Sequence, residues 1–219
     1  MSITHRAILW DLDGTIVDTK ACHLHTWKRA LELHGYDLDL ALLTENFGRN
    51  NTTLLPLLLG FEPEHELMMQ IIDNKENIFR EIAADWITLV PGVTSWLSAA
   101  TEMDIGQAIA SSAPMENIVT MLSIFNLDSC FDTIVSGKDL PAKPQPDVFL
   151  HAANALGVLP ENCLVIEDSI AGVESARLAG MRCIAVTTTH HQDTLQQADA
   201  VIDDFTLPLA EMLYKLCWD

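Results

Sequence analysis

The stretch AILWDLDGTIVDT, residues 7–19, places two aspartates directly after a run of four apolar residues. An uninterrupted apolar run of this kind is typical of a strand that is buried on both faces of a parallel sheet. Asp11 and Asp13 would then stand at the end of that strand. Carboxylates this close repel each other, so a cation must pair with them or one of them must react. The stretch therefore predicts either a metal site or a nucleophile at a strand end.

Downstream of Pro91, short β-rich runs alternate with helical segments. We predict strands at 104–111, 132–137, 163–168, 182–187 and 198–203. Helices are predicted at 92–103, 114–126, 146–157, 170–179 and 207–217. This alternation, with nearly continuous apolar strands, indicates an α/β fold. Its doubly wound, Rossmann-like parallel sheet would be covered by helices on both faces.

The region between the first strand and Pro91 has a different pattern. Residues 18–86 show apolar positions near helical spacing, and no convincing alternating strand is visible among them. We therefore predict an inserted α-helical domain at 18–86. The α/β core domain would consist of residues 1–17 and 87–219.

Composition excludes several classes of partner. The chain has 219 residues and a formal charge of −19, from 31 acidic and 12 basic residues. An acidic surface repels phosphodiester backbones and anionic lipid, so neither nucleic acid nor a membrane is expected as a partner. The longest apolar stretch, 54–61, contains a proline and is too short to span a bilayer. Five scattered cysteines favour reduced thiols, and with them a cytoplasmic protein.

Polar side chains follow several of the predicted strands. The carboxyl ends of parallel strands meet at one edge of a sheet, where ligands bind. The side chains expected at this edge are Asp11, Asp13, Thr15, Ser111, Ser112, Lys143, Glu167 and Asp168. Taken singly, each has a simpler explanation, such as a turn aspartate, a solvated lysine or a helix cap. Their order at successive strand ends favours one shared site, whereas His190 and His191 on a later loop are expected to be solvated.

This combination of groups would suit a phosphoryl-transfer site. Mg²⁺ prefers oxygen ligands and takes few carboxylates, which Asp11 and Asp168 could supply. A carboxylate can attack phosphorus and form an aspartyl-phosphate. Asp13 could donate a proton to the leaving oxygen and later accept one from water. Ser111 with nearby backbone N–H groups would bind phosphoryl oxygens, and Lys143 would offset charge on the phosphate and on Asp11.

Together these stretches resemble the haloacid dehalogenase-like hydrolases. DLDGT at 11–15, IASS at 109–112, Lys143 in AKPQPDVF and IEDS at 166–169 are similar to the four motifs of that family, in the same order. The resemblance runs over nearly the whole chain. KPQPDVF, followed by VIEDSIAGVESARLAGM, further resembles the branch that contains β-phosphoglucomutase and small sugar-phosphate phosphatases.

The resemblance implies a role for each residue. Asp11 would be the nucleophile, Asp13 the acid and base, and Thr15 would help to orient Asp13. The phosphoryl group would be held by Ser111, Ser112 and Lys143. The Mg²⁺ site would comprise Asp11, the backbone carbonyl of Asp13, Asp168 and the nearby Glu167. The insertion would be the family's cap over a small phosphorylated metabolite, and family members of this size imply a monomer.

Phosphatase and mutase are both open alternatives. His23 lies where the mutases have a histidine at the start of the cap, and Arg49 could contact substrate. Two mutase cations are missing, however, because Asn51 and Pro114 occupy their places. Their loss would cost charge-assisted hydrogen bonds to a second phosphate, roughly 1.5–3 kcal/mol each. We therefore expect a magnesium-dependent phosphohydrolase acting on a sugar phosphate, with a β-phosphoglucomutase-type mutase as the alternative and a non-catalytic regulatory protein as the third.

Overall fold

The computed structural model describes residues 6–46, 49–216 and 218. The chain divides into two compact units. One takes in the chain up to Asp18 and from Leu89 onward, and the other is Thr19–Thr88. The sequence predicts the insertion at 18–86, so the observed boundaries differ by one residue at the start and two at the end.

The elements follow one another in the order strand, helical insertion, then alternating strands and helices. The first strands and the insertion are β1 Ala7–Trp10, β2 Val17–Asp18, α1 Lys20–Leu33, α2 Leu40–Glu45, α3 Asn51–Leu59 and α4 His65–Trp86. The chain continues through β3 Thr88–Leu89, α5 Val93–Glu102, β4 Gly106–Ser111, α6 Met115–Phe125, β5 Thr133–Ser136 and α7 Asp147–Leu156. It ends with β6 Cys163–Glu167, α8 Ile170–Leu178, β7 Arg182–Val186, β8 Ala200–Ile202 and α9 Leu209–Lys215.

The α/β prediction is confirmed. Each predicted strand and helix of the core is found within two residues of its expected ends, although Cys217 in the last predicted helix lies outside the described residues. Six strands form one sheet in the order β5-β4-β1-β6-β7-β8, and all five pairings between neighbours in it are parallel. The short β2 and β3, which the sequence did not predict, pair as a separate two-stranded sheet.

The pairing register aligns the carboxyl ends of β1, β4 and β6 with one another. β1 is central and fully buried, with Trp10 opposite Ile109 of β4 and Ile166 of β6. The N–H of Asp11 continues the ladder by donating to the carbonyl of Ile166 over 2.9 Å. Asp11 is therefore level with Glu167, the last residue of β6.

Each unit has its own apolar core. In the sheet unit Trp10 packs against Phe205 at 5.8 Å between ring centroids, and its indole N–H donates to Gln107 over 3.2 Å. In the Thr19–Thr88 unit the buried side chains include Trp27, Leu31, Leu54, Leu55 and Ile71. Burying a side chain of this size contributes about 1.5–3 kcal/mol. Among the helices that the structure describes, none combines the length and apolar character needed to cross a bilayer.

Candidate active site

A tight turn follows β1 and ends the strand. The carbonyl of Leu12 accepts the N–H of Val17 over 3.0 Å, and the N–H of Gly14 donates to the carbonyl of Val17 over 2.7 Å. Gly14 has a φ of +85°, which a side chain would strain. This closed turn keeps Asp11, which is buried, and Asp13, which is half-buried, on a short fixed segment.

The Lys143 side chain contacts residues at the carboxyl ends of three neighbouring strands, β1, β4 and β6. Its Nζ is 2.6 Å from Oδ1 of Asp11 and 2.7 Å from Oε1 of Glu167, and it also donates to the carbonyl of Ala110 at 3.4 Å. The ammonium stands 4.7 Å from the ring centroid of Phe149, a cation–π contact. Burial alone would lower the pKa of Lys143, but Asp11 and Glu167 raise it above its ordinary value. The amine therefore stays protonated and links the two carboxylates.

Glu167 is held by hydrogen bonds at both oxygens. Besides the Lys143 bond to Oε1, its Oε2 accepts the N–H groups of Asp168 at 2.8 Å and Ser169 at 2.7 Å, and the Ser169 hydroxyl at 2.9 Å. Burial would raise the pKa of Glu167, but Lys143 and these donors lower it overall. Glu167 is thus an ionised anchor that fixes the turn bearing Asp168.

Three buried carboxylates converge beside Lys143. One ligand oxygen from each of Asp11, Glu167 and Asp168 lies within 4.8 Å of the others. Burial raises the pKa of Asp11 to about 7, with Lys143 opposing the shift and Glu167 and Asp13 adding to it. Burial, followed by the charges of Glu167 and Asp11, raises the pKa of Asp168 well above its usual range. Ionising all three carboxylates is therefore costly without a further cation.

The carboxylate cluster fits a hard divalent cation. With all three acids ionised, the single ammonium leaves two uncompensated negative charges, which one Mg²⁺ would neutralise. Carboxylate oxygens are the ligands that Mg²⁺ prefers. Because the oxygens of Glu167 already accept hydrogen bonds, Asp11 and Asp168 are the better candidates for direct ligands.

Gly172, in the first turns of α8, makes room for Glu167. A Cβ at this position would overlap both carboxylate oxygens of Glu167. Gly172→Ala is therefore expected to lower the free energy of unfolding by about 1–3 kcal/mol, because overpacking outweighs the usual gain in helix propensity. Urea denaturation measures the loss, and the phosphohydrolase activity expected from the sequence should fall with it.

The matched control is Gly157→Ala at the end of α7. Gly157 has a φ of +70° but nothing within 4 Å of a Cβ, so this change adds backbone strain without touching the site. It should cost about 1 kcal/mol of stability and leave activity unchanged. A Gly172→Ala variant as stable as the wild type would contradict the assignment of Glu167 as an anchor.

The remaining predicted core residues lie at the same edge. Ser111 is buried at the end of β4, and its Oγ accepts the N–H of Ala113 over 3.1 Å, while Ser112 beside it is half-buried. The Oγ1 of Thr15 lies 3.4 Å from Oδ1 of Asp168, a contact that the sequence did not predict. Thr15 thus touches a candidate metal ligand, whereas its expected role is to orient Asp13.

His23 and Arg49 belong to the Thr19–Thr88 unit. The His23 ring stacks on Phe79 with 4.6 Å between centroids and 16° between planes, and Arg49 is exposed. Gly48, which precedes Arg49, lies outside the described residues. The structure therefore gives His23 a packed environment within this unit and Arg49 a solvated one.

A buried polar cluster in the Thr19–Thr88 unit escaped prediction. The Lys75 ammonium is 2.9 Å from Oε1 of Glu76, and the side-chain amide of Asn51 donates to the same oxygen over 2.5 Å. Burial would raise the pKa of Glu76, but Lys75, His23 and Asn51 lower it overall. Asn51, which occupies the place of a mutase arginine, is therefore bonded to an ionised carboxylate.

The loop after β7 contacts the candidate site, which the sequence did not predict. His190 is half-buried and its Nδ1–H donates to the carbonyl of Asp168 over 3.2 Å, and the Thr189 hydroxyl lies beside the Asp168 carboxylate against Gly14. His191 is exposed, as expected for a solvated residue. The signal that was available is the position of this loop, since it too follows the carboxyl end of a parallel strand.

Comparison with known proteins identifies relatives over nearly the full chain. The family described as haloacid dehalogenase-like hydrolase matches residues 8–186. A phosphorylated carbohydrates phosphatase of Thermotoga maritima is 29% identical over 89% of this chain and 92% of its own, and a validoxylamine A 7′-phosphate phosphatase of Streptomyces hygroscopicus is 26% identical over 92% and 95%. The crystal structure of β-phosphoglucomutase from Clostridium difficile superposes with a TM-score of 0.86 at 26% identity, covering 97% of each chain.

Proposed function

Because this chain belongs to the haloacid dehalogenase-like hydrolases, we propose that it is a magnesium-dependent phosphatase of a small phosphorylated metabolite, namely a sugar phosphate. The observation that supports this most directly is the buried cluster of Asp11, Lys143, Glu167 and Asp168 at the strand ends. It joins a candidate nucleophile, a fixed cation and a pair of metal-binding carboxylates. Two relatives named as phosphatases of phosphorylated carbohydrates and of a 7′-phosphate support the same substrate class.

The proposed reaction has two steps. A carboxylate oxygen of Asp11 attacks phosphorus, the bond from phosphorus to the leaving oxygen breaks, and Asp13 gives that oxygen a proton. Asp13 then takes a proton from water, whose oxygen displaces Asp11 from phosphorus and releases inorganic phosphate. Lys143 and Ser111 hold phosphoryl oxygens throughout. Bound by Asp11, the carbonyl of Asp13 and Asp168, Mg²⁺ would offset the charge of the phosphoryl group.

The Thr19–Thr88 unit is the candidate cap, and its polar cluster favours the phosphatase over the mutase. A mutase must bind a sugar bisphosphate, which requires cations for the second phosphate. Here the Asn51 amide is engaged by the Glu76 carboxylate, and Arg49 is solvated. The Glu76 carboxylate bonded to Asn51 disfavours the binding of a second phosphate by Asn51. His23 and the likeness to β-phosphoglucomutase keep the mutase as the alternative.

We also propose that the protein acts in the cytoplasm as a monomer. Among the described residues, Cys130, Cys163 and Cys183 are free thiols, which is the usual state in a reducing compartment.

The deciding experiment is a panel of sugar monophosphates assayed with Mg²⁺ and with a chelator. Free phosphate and isomerised product are measured in the same reactions, and β-glucose 1-phosphate is tested with a bisphosphate primer. Magnesium-dependent phosphate release without isomerisation is the expected result. Conversion to glucose 6-phosphate with little free phosphate would establish the mutase instead, and no turnover of any compound would refute both.

Asp13→Asn tests the acid and base role. We expect kcat for a sugar phosphate to fall about 10²–10⁴-fold, since both proton transfers are lost. With p-nitrophenyl phosphate, whose leaving group needs no proton, the first step should survive and radiolabelled phosphoenzyme should accumulate after acid quenching. Asp139→Asn, at an exposed position, is the control. Turnover of Asp13→Asn within threefold of the wild type would exclude the role.

A further inference from the structure

The loop at residues 187–191, which follows β7, contacts the candidate site with three consecutive side chains. The Thr188 hydroxyl donates to the carbonyl of Gly14 in the turn after β1. The Thr189 hydroxyl and the Asp168 carboxylate lie side by side against Gly14, where Thr189 favours the ionised carboxylate, and the Nδ1–H of His190 donates to the Asp168 carbonyl over 3.2 Å. We call this segment the Thr189 loop. The Thr189 loop contacts both the carboxylate and the backbone carbonyl of Asp168.

The base of the Thr189 loop is fixed to β8 and the residue after it. The N–H of Thr187 donates to the carbonyl of Ile202 over 2.9 Å, and its hydroxyl donates to Asp203 over 2.9 Å. These bonds tie the chain to the sheet two residues before Thr189. With its base anchored in this way, the loop can use the Thr189 side chain to restrain Asp168.

Packing limits the freedom of the Asp168 carboxylate. A Cβ built on Gly14 would overlap Oδ2 of Asp168 and would stand 2.7 Å from Oγ1 of Thr189. Both groups therefore lie against the backbone of Gly14, while the Thr15 hydroxyl is on the other carboxylate oxygen at 3.4 Å. Rotation of this carboxylate would break contacts on two sides.

We propose that Thr189 and His190 are positioning residues that hold Asp168 in the orientation required to bind a divalent cation. The inference rests on the proposed function, because it assumes that Asp168 is a metal ligand. Residues that orient a ligand typically contribute 10–100-fold to metal affinity. Thr189 fixes the carboxylate, and His190 fixes the backbone from which it extends.

The experiment measures binding of Mn²⁺, a paramagnetic substitute for Mg²⁺, from the electron paramagnetic resonance signal of the free ion. Thr189→Val removes the hydroxyl at nearly constant shape and is expected to weaken binding about 10–100-fold. Thr189→Ser keeps the hydroxyl and should restore binding to within about threefold. His190→Phe should weaken binding about 10-fold, whereas His191→Phe, at the exposed neighbour, should not. Thermal unfolding without metal confirms that each variant is folded.

The outcomes separate this inference from the function on which it rests. If the wild type binds no Mn²⁺, the proposed metal site fails, and this inference fails with it. If the wild type binds and Asp168→Asn does not, the metal site stands. Equal affinity of Thr189→Val and the wild type would then overturn only the positioning role, as would a Thr189→Ser variant as weak as Thr189→Val.

Discussion

Asp11→Asn is expected to lower kcat by at least about 10³-fold, since removing a nucleophile leaves only binding and electrostatic stabilisation. The same change should raise the unfolding temperature of the metal-free protein. Burial holds the pKa of Asp11 at about 7, against an ordinary value of 3.8. Above pH 4 the unfolded chain therefore releases a proton that the folded chain retains, and folding becomes less favourable as the pH rises towards 7.

The stability gain of Asp11→Asn should accordingly grow between pH 5 and pH 8. At pH 8 we expect at least about 2–4 °C, the shift that 1 kcal/mol produces in a chain of this size. Differential scanning calorimetry with a chelator measures it, and Asp139→Asn, which is exposed, should show neither effect. Substantial magnesium-dependent turnover by Asp11→Asn would refute the assignment of Asp11 as the nucleophile.

Lys143→Met is expected to lower the free energy of unfolding by roughly 3–5 kcal/mol at pH 8, the cost of leaving buried charges without their partner. Lys143 is the cation that Asp11 and Glu167 share at 2.6 and 2.7 Å. Without it, the folded-state pKa values of both carboxylates rise, so the variant loses stability as the pH increases through the range in which they ionise. The deficit should therefore be smaller at pH 5 than at pH 8. Activity should be lost at every pH.

Lys215→Met is the matched control for this variant. Lys215 is paired with Glu211 at 2.9 Å, but both side chains are about half exposed. Exposed pairs contribute about 0–1 kcal/mol, so this variant should unfold like the wild type. Urea denaturation at both pH values compares the two. A Lys143→Met protein that matches Lys215→Met would show that the buried ammonium is dispensable for folding.

The parts of the site that were predictable depend on sequence patterns that act locally. The apolar run before Asp11 identified a buried strand, and the rule that parallel strands end at one edge brought Lys143 and Asp168 into the same site. The family resemblance then supplied their roles. The first two of these inferences need only the order of residues along the chain and the shared direction of the strands in a parallel sheet.

The parts that were missed depend on packing between distant segments. Nothing in the pattern around Gly172 reveals that its missing side chain accommodates Glu167, since a helix tolerates an isolated glycine at modest cost. Thr189 looks like one of several loop threonines until β7 places it beside Asp168. Lys75 and Glu76 lie among other polar residues of α4, and nothing in that pattern reveals that both are buried.

The central place of β1 in the sheet has a consequence for how the protein is made. Ala7 pairs with Cys163, so β1 leaves the ribosome more than 150 residues before this neighbouring strand has been synthesised. Helices α1 and α4, by contrast, close within one 70-residue segment, and such local structure forms quickly. We therefore expect the Thr19–Thr88 unit to fold during synthesis while the aspartates after β1 remain exposed. The catalytic edge would be assembled late, once β6 has been synthesised.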